Sequence, residues 1–401
     1  GITGTNGKTT TTYLVAATLA AAGRPHARLG TVSNWLVDHE ATSGFTTPFP
    51  LELQALLADI RDRGGSDVIM EVSSHALAQG RARPLRFQAV GMTSFSQDHL
   101  DFHGTMDAYL AAKRLLTREH LATDGVAVAA VDDHPACLDF LADAPTGARR
   151  WRASRRPDSG AELRVLRPLG DASAGAELGI AVEIATPAGV GPLRSPLVGD
   201  FNLDNLLVAV GLGLGLDLDL GVILDALARS PGAPGRLERI YADDRADDRV
   251  DDRDPEIYVD YAHTPEAVAH ALRTLRPRCR GRLLVLLGCG GDRDRGKRPL
   301  MGRHAAAASD RFYATSDNPR TEDPAAIVAD MVAGVEASDR AKVIVEVDRR
   351  RAIARAVAEA GPEDILVIAG KGHEDYQVVG TRKLPFSDAD EARAGLRARG
   401  S

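Results

Sequence analysis

Lysine is scarce in this chain. Six occur among 401 residues, at Lys8, Lys113, Lys297, Lys342, Lys371 and Lys383, and arginine supplies the rest of the 49 basic side chains. Where arginine is the routine cation, a lysine inside a motif marks a place that needs a primary amine, because the two differ in shape, hydration and reactivity. Cysteine is scarcer still. Cys137, Cys279 and Cys289 are too few and too scattered for a disulfide framework or a zinc site, so a reducing cytoplasm is the expected location. No run of about 18 apolar residues is present, which argues against membrane insertion, and no secretory signal is expected. The net charge of -7 argues against a nucleic-acid-binding surface.

What is present is an ordinary soluble composition, with length for two or three domains. The first half alternates strand-like and helix-like segments. Residues 9–22 read as a helix stopped by Gly23, 67–72 and 88–95 as buried strands, 105–121 as a helix carrying Lys113, and 125–131 as a strand. Such alternation implies a mainly parallel sheet covered by helices on both faces. Short β-prone runs over 160–196 suggest a small antiparallel addition. The Pro- and Gly-rich stretch 230–235 predicts a boundary, giving domains 1–232 and 233–401. Beyond it, strands are predicted over 257–261, 282–287, 312–315, 343–347 and 365–368, a second α/β domain of Rossmann-like type. The acidic–basic repeat over 242–253 reads as a solvated loop.

The stretch from Gly1 to Thr10, GITGTNGKTT, ends in the Gly-Lys-Thr of a variant phosphate loop, Gly4 to Thr10, and runs directly into a helix. Glycines let backbone N–H groups approach phosphate oxygens, Lys8 supplies charge to the terminal phosphates, and the Thr9 hydroxyl can ligate magnesium. Gly4, Thr5, Asn6, Gly7, Lys8, Thr9 and Thr10 are therefore candidate nucleotide contacts. Only three residues precede the motif, which normally follows a complete strand, so the natural chain is expected to begin further upstream. The loop alone leaves kinase, GTPase, transporter ATPase and ligase open.

Glu71 ends one predicted strand, His99 lies just beyond the next, and Lys113 follows on a helix. Strand carboxyl ends converge on the ligand crevice of an open parallel sheet, which would bring Glu71 and His99 toward the phosphates. Magnesium prefers oxygen ligands, so this segment by itself leaves open a histidine-rich helix start without metal.

Taken together, the phosphate loop, Glu71 to His75, Asp98 to Asp101, Lys113, Asn202 and Asn205 resemble the Mur ligase family of peptidoglycan synthesis. The resemblance continues through Pro234 to Glu238, Val259 to Pro265, Gly288 to Pro299, Asp317 to Arg320 and Gly370 to Asp375, over nearly the whole chain. It implies an ATP-dependent amide ligase working through an acyl phosphate, with ATP and Mg2+ as cofactors, small-molecule substrates and a monomeric chain. By the same resemblance Thr9, Glu71, His99 and Lys113 serve magnesium, with Lys113 carbamylated by carbon dioxide. Lys8, Glu71, His99 and Lys113 form the catalytic set, and Asn202, Arg236, Asp260 and His263 contact the nucleotide. Thr46, Thr47, Ser73, Gln79 and Arg81 match acceptor-binding positions, although Ser73 and Thr47 are also residue types that cap or turn a backbone. The Asp317-Asn318-Pro319-Arg320 form implies meso-diaminopimelate as the incoming amine. Arg320 and Arg293 would bind its far carboxylate, Asp317, Asn318 and Glu374 would bind the distal ammonium, and Gly370 is a further substrate-binding position.

The chain departs from that pattern at Phe45, usually asparagine in close relatives, and at Ser94 and Gln97, often asparagine and arginine. The family pattern has a UDP-binding domain before the phosphate loop, and none is expected within these residues. A related amide synthetase with another carboxylate substrate, and a non-catalytic ATP-binding protein on the same fold, are the alternatives that these departures leave standing.

Overall fold

Branched apolar runs set the strands, and their burial on both sides sets the layers. In the computed structural model, which describes residues 1–170, 179–242 and 254–399, the chain divides into two units, Gly1–Ala233 and Pro234–Ser401. In the first, strands Ile2–Thr3, Phe87–Met92, Leu121–Ala130, Arg149–Ser154 and Leu163–Pro168 lie side by side and parallel. Ile180–Thr186 and Gly189–Ser195 extend the sheet antiparallel, as expected for that part of 160–196, whereas Leu163–Pro168 joins the parallel run and 171–178 lie outside the described residues. Along Leu121–Ala130, Val126, Val128 and Ala130 enter one apolar cluster, whereas Ala127 and Ala129 enter another. Alternate side chains point to opposite faces, so both faces are covered. Helices Lys8–Ala21, Asp200–Gly215 and Leu220–Arg229 belong to the first cluster, and Met106–His120 and Ala136–Ala142 to the second.

A four-stranded sheet, ordered Glu40–Ala41, Asn34–Leu36, His26–Leu29, Asp67–Met70, lies beside it. The regular strands end at Met70 and Met92, earlier than the sequence pattern suggested. Glu71 makes only an isolated bridge to Ile2, and the Val72 amide donates to the Ile2 carbonyl at 2.8 Å. Past these strand ends the backbone turns, which delivers Glu71 and Thr93 to the phosphate loop.

In the second unit the order is Glu238–Ile240, Glu256–Asp260, Ile365–Ala369, Leu283–Cys289, Arg311–Ser316, Val343–Val345, parallel except for the first pair. Ile257, Val259, Leu284, Leu286, Leu366 and Ile368 pack against Ile353, Val357 and Leu396 of helices Arg349–Glu359 and Asp388–Arg399. Tyr258, Val285 and Val367, which point the other way, are equally buried, where Pro265–Leu275, Lys297–Ala308 and Pro324–Ala333 supply further helices. Each such Leu, Ile or Val contributes about 1.5–3 kcal/mol by leaving water. This is the Rossmann-like arrangement expected. Its carboxyl-end loops, after Asp260, Cys289, Ser316 and Ala369, collect on one edge, where open α/β sheets bind ligands. Residues 243–253 of the charged repeat lie outside the described residues. Among the described residues no helix is long and apolar enough to cross a membrane.

Candidate active site

The helix Lys8–Ala21 starts without a side-chain cap. Its N-cap is Gly7, at φ +87°. A Cβ there would lie 2.2 Å from Asn205 Oδ1, and one at Gly4, φ +144°, would lie 2.1 Å from Thr93 Oγ1, so only glycine fits either position. First-turn N–H groups have no partner within a helix, and an uncapped N-terminus behind a glycine turn is an anion site. Lys8 Nζ donates to the carbonyls of Gly4 and Thr5 at 2.9 and 3.0 Å. Thr5 Oγ1 lies 3.2 Å from the Tyr109 hydroxyl. The Asn6 amide donates to Ser94 Oγ at 2.9 Å and its carbonyl accepts from Thr93 Oγ1. Ser94, a departure from the family pattern, thus supports the loop directly. Thr10 is buried. Asn202 Nδ2 donates to Val198 O at 2.9 Å while its Oδ1 accepts from Asn205 Nδ2 at 3.1 Å, fixing the asparagine that faces Gly7.

Glu71 is 1% exposed. Its Oε1 accepts from Thr9 Oγ1 at 3.0 Å and the Thr31 amide at 2.8 Å, and its Oε2 from Thr31 Oγ1 at 3.1 Å. All these partners are neutral. A buried carboxylate held, among the described residues, by neutral donors, with a threonine hydroxyl beside it at an anion site, has the all-oxygen character that magnesium favours. His99 adopts φ +53° at the start of the short helix Leu100–His103. Its ring centroid lies 4.7 Å from that of His75 and 5.9 Å from that of Tyr109. Burial foremost, opposed by Asp98 and joined by Lys8 and Lys113, lowers its pKa. Among the described residues no group of three or more His, Cys, Asp or Glu side chains is arranged to hold a metal. Magnesium therefore fits only with phosphate, hydroxyl or carbamate oxygens completing its shell.

Lys113 is 1% exposed and donates to the Gly4 carbonyl at 2.9 Å, with Nζ 4.4 Å from the Tyr109 ring centroid. No ion pair reaches it among the described residues. Burial first, and then the Lys8 charge, hold its pKa well below the ordinary lysine value, so the amine is driven toward its neutral form.

The acceptor candidates form one hydrogen-bonded chain. Thr46 Oγ1 lies 3.0 Å from Thr31 Oγ1. Thr47 Oγ1 donates to the Glu71 carbonyl at 2.9 Å and accepts from the Ser73 amide at 3.1 Å. Ser73 Oγ caps the helix Ser74–Ala78. Both therefore perform the backbone roles their residue types suggested. Arg81 Nη1 donates to the Thr47 carbonyl at 2.9 Å and Nε to Gln79 Oε1 at 2.8 Å.

In the second unit, Asp260 uses both oxygens on the backbone, accepting from Leu237 N at 2.7 Å and Ala262 N at 2.8 Å. It thereby shapes the turn that carries Tyr261 and His263. The Tyr261 ring has the Arg236 guanidinium 4.6 Å away, with His263 at 4.6 Å and His373 at 5.3 Å. Burial, with Arg236 nearby, lowers His373 to about 4, so this platform carries a neutral imidazole. Asn318 Nδ2 and Lys371 Nζ both donate to Glu374 Oε2 at 2.9 Å, and Lys371 Nζ lies 3.5 Å from Asp317 Oδ1. Burial raises the Asp317 pKa. Arg320, at φ +51°, is fixed by Arg320 N to Val378 O at 3.0 Å and Gly380 N to Arg320 O at 2.7 Å. Its Nη1 donates to Gly291 O at 2.8 Å. Gly370 has φ +111°, and a Cβ there would crowd Asp317 Oδ2 at 3.3 Å. Arg293 is exposed, its Nη1 3.3 Å from Asp292 O.

Sequence reasoning passed over several supporting groups. Thr31 follows the strand His26–Leu29, which runs parallel to Asp67–Met70, so the strand-end rule that located Glu71 could have found it. Lys371 carried a signal as a scarce lysine inside a motif, but Tyr109 and the pairs Arg349–Asp388 and Arg298–Glu322 had none.

Phosphate loop, buried acidic oxygen site and a following Rossmann-like unit define a nucleotide-dependent α/β protein of two units. Residues 2–213 match the family model of the Mur ligase middle domain and 236–372 that of the Mur ligase glutamate ligase domain. The chain belongs to the Mur ligase family. It is 47% identical over 399 residues to a UDP-N-acetylmuramoyl-L-alanyl-D-glutamate--2,6-diaminopimelate ligase of Synechococcus sp. (strain WH7803), covering 99% of this chain and 77% of that protein. A ligase of the same name from Gloeobacter violaceus is 45% identical, covering 100% and 77%. A solved structure of such a ligase superposes with TM-score 0.72 at 34% identity, covering 100% of this chain and 78% of that one. The folylpolyglutamate synthase of Mycobacterium tuberculosis, at TM-score 0.66 and 20% identity, shares the fold, covering 98% and 89%.

Proposed function

We propose that this chain joins 2,6-diaminopimelate to the carboxylate of UDP-N-acetylmuramoyl-L-alanyl-D-glutamate, using ATP and passing through an acyl phosphate. Relatives at up to 47% identity that cover 99% of the chain carry that reaction in their names. The observation that carries the reading is the pairing of an uncapped phosphate-loop helix with the neutral-partnered Glu71 at its first turn.

The uncapped N–H groups and Lys8 hold the nucleotide phosphates. A carboxylate oxygen of the acceptor attacks the γ-phosphorus, the bridging P–O bond to the β-phosphate breaks, and ADP leaves. Magnesium, when bound, neutralises charge on the phosphate oxygens. Thr9, Glu71 and His99 would hold it. The amine then attacks the acyl carbon, loses a proton, and inorganic phosphate departs. No covalent enzyme nucleophile is needed, so positioning and charge stabilisation do the catalysis.

Lys113 fits as a carbamate. A neutral amine can add to carbon dioxide, forming an N–C bond and releasing a proton, and the lowered pKa supplies that neutral amine. The product is an anionic oxygen ligand where a free ammonium would repel metal. In the second unit, Arg236, Tyr261 and His263 offer a flat cationic–aromatic platform suited to a nucleotide base. Arg320, with Arg293, would take the far carboxylate of diaminopimelate, and Asp317, Asn318, Gly370 and Glu374 would serve its ammonium end. ATP and a nucleotide-sugar as substrates place the work in the cytoplasm.

The test is sustained ADP release over many turnovers, since a single round of acyl phosphate formation precedes the amine. It should require ATP, the acceptor and diaminopimelate together. Release that ignores either of the latter two, or none with all present, overturns the reading.

A further inference from the structure

Thr46 and Thr47 sit between two exposed aromatic side chains. Phe45 is 50% and Phe49 44% exposed, and the rings meet edge to face at 5.0 Å. Neither belongs to an apolar core. What they cover instead is charge. The Arg81 guanidinium carbon lies 4.0 Å from the Phe49 ring centroid and 5.5 Å from that of Phe45. Two of the guanidinium's five N–H donors are spoken for, Nη1 by the Thr47 carbonyl and Nε by Gln79. Nη2 has no protein partner among the described residues. Arg81 is thus anchored on one side, screened by rings, and left with a free donor edge.

Each feature acts in one direction. The two anchoring hydrogen bonds fix the plane of the guanidinium, which makes binding of a planar carboxylate less costly in lost freedom. Aromatic cover displaces water, so hydrogen bonds from the free edge to an anion strengthen. Burial has already lowered the Arg81 pKa somewhat, in keeping with a partly dried cation lacking an anion. A single exposed phenylalanine would need no explanation, but two that share one arginine beside the buried Thr47 do.

We infer that Phe45 and Phe49 are specificity-determining residues, an aromatic clamp that aims Arg81 at a carboxylate of the acceptor peptide. This rests on the proposed reaction. The clamp does not touch the reacting atoms. It acts through Arg81 and is a positioning device, so its loss should appear in acceptor KM rather than in the other substrates. The substrate class it selects is an acceptor whose anionic end meets Arg81 and whose apolar flank lies along the rings.

Steady-state ADP release tests it, using UDP-N-acetylmuramoyl-L-alanyl-D-glutamate as the probe. Phe49→Leu and Phe45→Ala should each raise acceptor KM about tenfold, and kcat should change less. KM for ATP and diaminopimelate should stay within about twofold. Phe49→Trp, which keeps a ring over the guanidinium, should stay close to wild type. The double variant with Arg81→Lys should be far less than additive, because the clamp works only through the guanidinium. Unchanged acceptor KM in both single variants, or equal rises for all three substrates, overturns the clamp while leaving the reaction intact. A wild-type chain that releases no ADP with both substrates overturns the reaction itself, and this inference with it. Since both rings are half exposed, unfolding midpoints should hold, and a variant that loses its fold is replaced in the test by Phe49→Tyr and Phe49→Met.

Discussion

Lys113 in the first unit and Lys371 in the second are both closed to solvent, at 1% and 0% exposure. Their surroundings differ in charge. Lys371 lies among Glu374, Asp317 and Asn318, so its ammonium is compensated within the protein. Lys113 has a carbonyl and an aromatic face but, among the described residues, no carboxylate in ion-pair reach. The same contrast holds for the surroundings of the two sites. Around the phosphate loop, buried Glu71 is met by hydroxyls and an amide. Around the carboxyl-end loops of the second unit, Arg349 meets Asp388, and Arg298 meets Glu322 and Asp330. An isolated buried charge is costly and tends to neutralise or find a counter-ion. Elsewhere the first unit pairs its own charges, as Arg155 does with Asp132 and Asp204, but beside the phosphate loop Glu71 and Lys113 meet neutral groups, whereas the loops of the second unit are held by completed ion pairs.

The comparison is most easily broken at Arg349 and Asp388, both 0% exposed at the side chain. Arg349 also donates to the carbonyls of Ser316 and Ala369, the last residues of two strands whose following loops carry Asp317 and Gly370. Asp388→Ala leaves a guanidinium buried and unpaired, which typically costs about 3–5 kcal/mol. Chemical denaturation should show that loss. A change below about 1 kcal/mol would mean that the pair is not what holds these strand ends.

Next in size is Lys113→Ala. An amine completed only by a carbamate should be catalytic and of little structural value, so turnover should fall roughly 10²–10³-fold, the range for losing one charge-stabilising group. Short carboxylates should restore part of it. Full turnover in the variant would end the carbamate reading. Arg320→Ala should be smaller. A lost charge-assisted hydrogen bond costs about 1.5–3 kcal/mol, so diaminopimelate use should weaken roughly tenfold to a hundredfold, with residual lysine use nearly unchanged. Equal losses for both amino acids would sink its assignment to the far carboxylate.

Much of this was legible in sequence because it is local. The helix from Lys8 to Ala21, stopped by Gly23, and the strands 256–260, 283–289 and 365–369 follow from periodicity and breakers. The phosphate loop is a contiguous motif. What stayed hidden joins residues far apart in the chain: Glu71 with Thr31, 40 positions away, Arg349 with Asp388, 39 away, and Thr5 with Tyr109, 104 away. Periodicity says which face a residue occupies, not which residue from another element meets it there. The early ends of the strands at Met70 and Met92 had the same cause, since the backbone beyond them answers to partners on other segments. Ser94 is a further case: a departure by sequence pattern, it holds Asn6 by the shortness of its side chain.

The smallest effect should come from Glu322, and its test is the shape of a pH curve. Glu322 accepts from Arg298 Nη2 at 2.7 Å and from the Asp292 amide at 2.6 Å, tying the loop after Cys289 to the one that carries Arg320. The Arg298 hydrogen bond, foremost, holds its pKa down to about 2 from the ordinary 4.5. A carboxyl depressed on folding stabilises the folded state in full above its unfolded value and loses that contribution as pH falls through the folded one. For Glu322 the window is therefore from about 4.5 down to about 2, and stability should decline across it as acid is added. Glu322→Gln keeps an acceptor for the Asp292 amide but removes the charge, while Arg298 retains Asp330 at 3.0 Å. The variant should be slightly less stable near neutrality and show a flatter acid limb between those pH values, measured by denaturation midpoints at stepped pH. Its KM for diaminopimelate should rise by no more than a few fold, since Arg320 keeps its own bond to Gly291. An acid limb identical to wild type would show that Glu322 is not one of the second unit's self-completed charges, and would weaken the contrast between the two sites where it is most finely balanced.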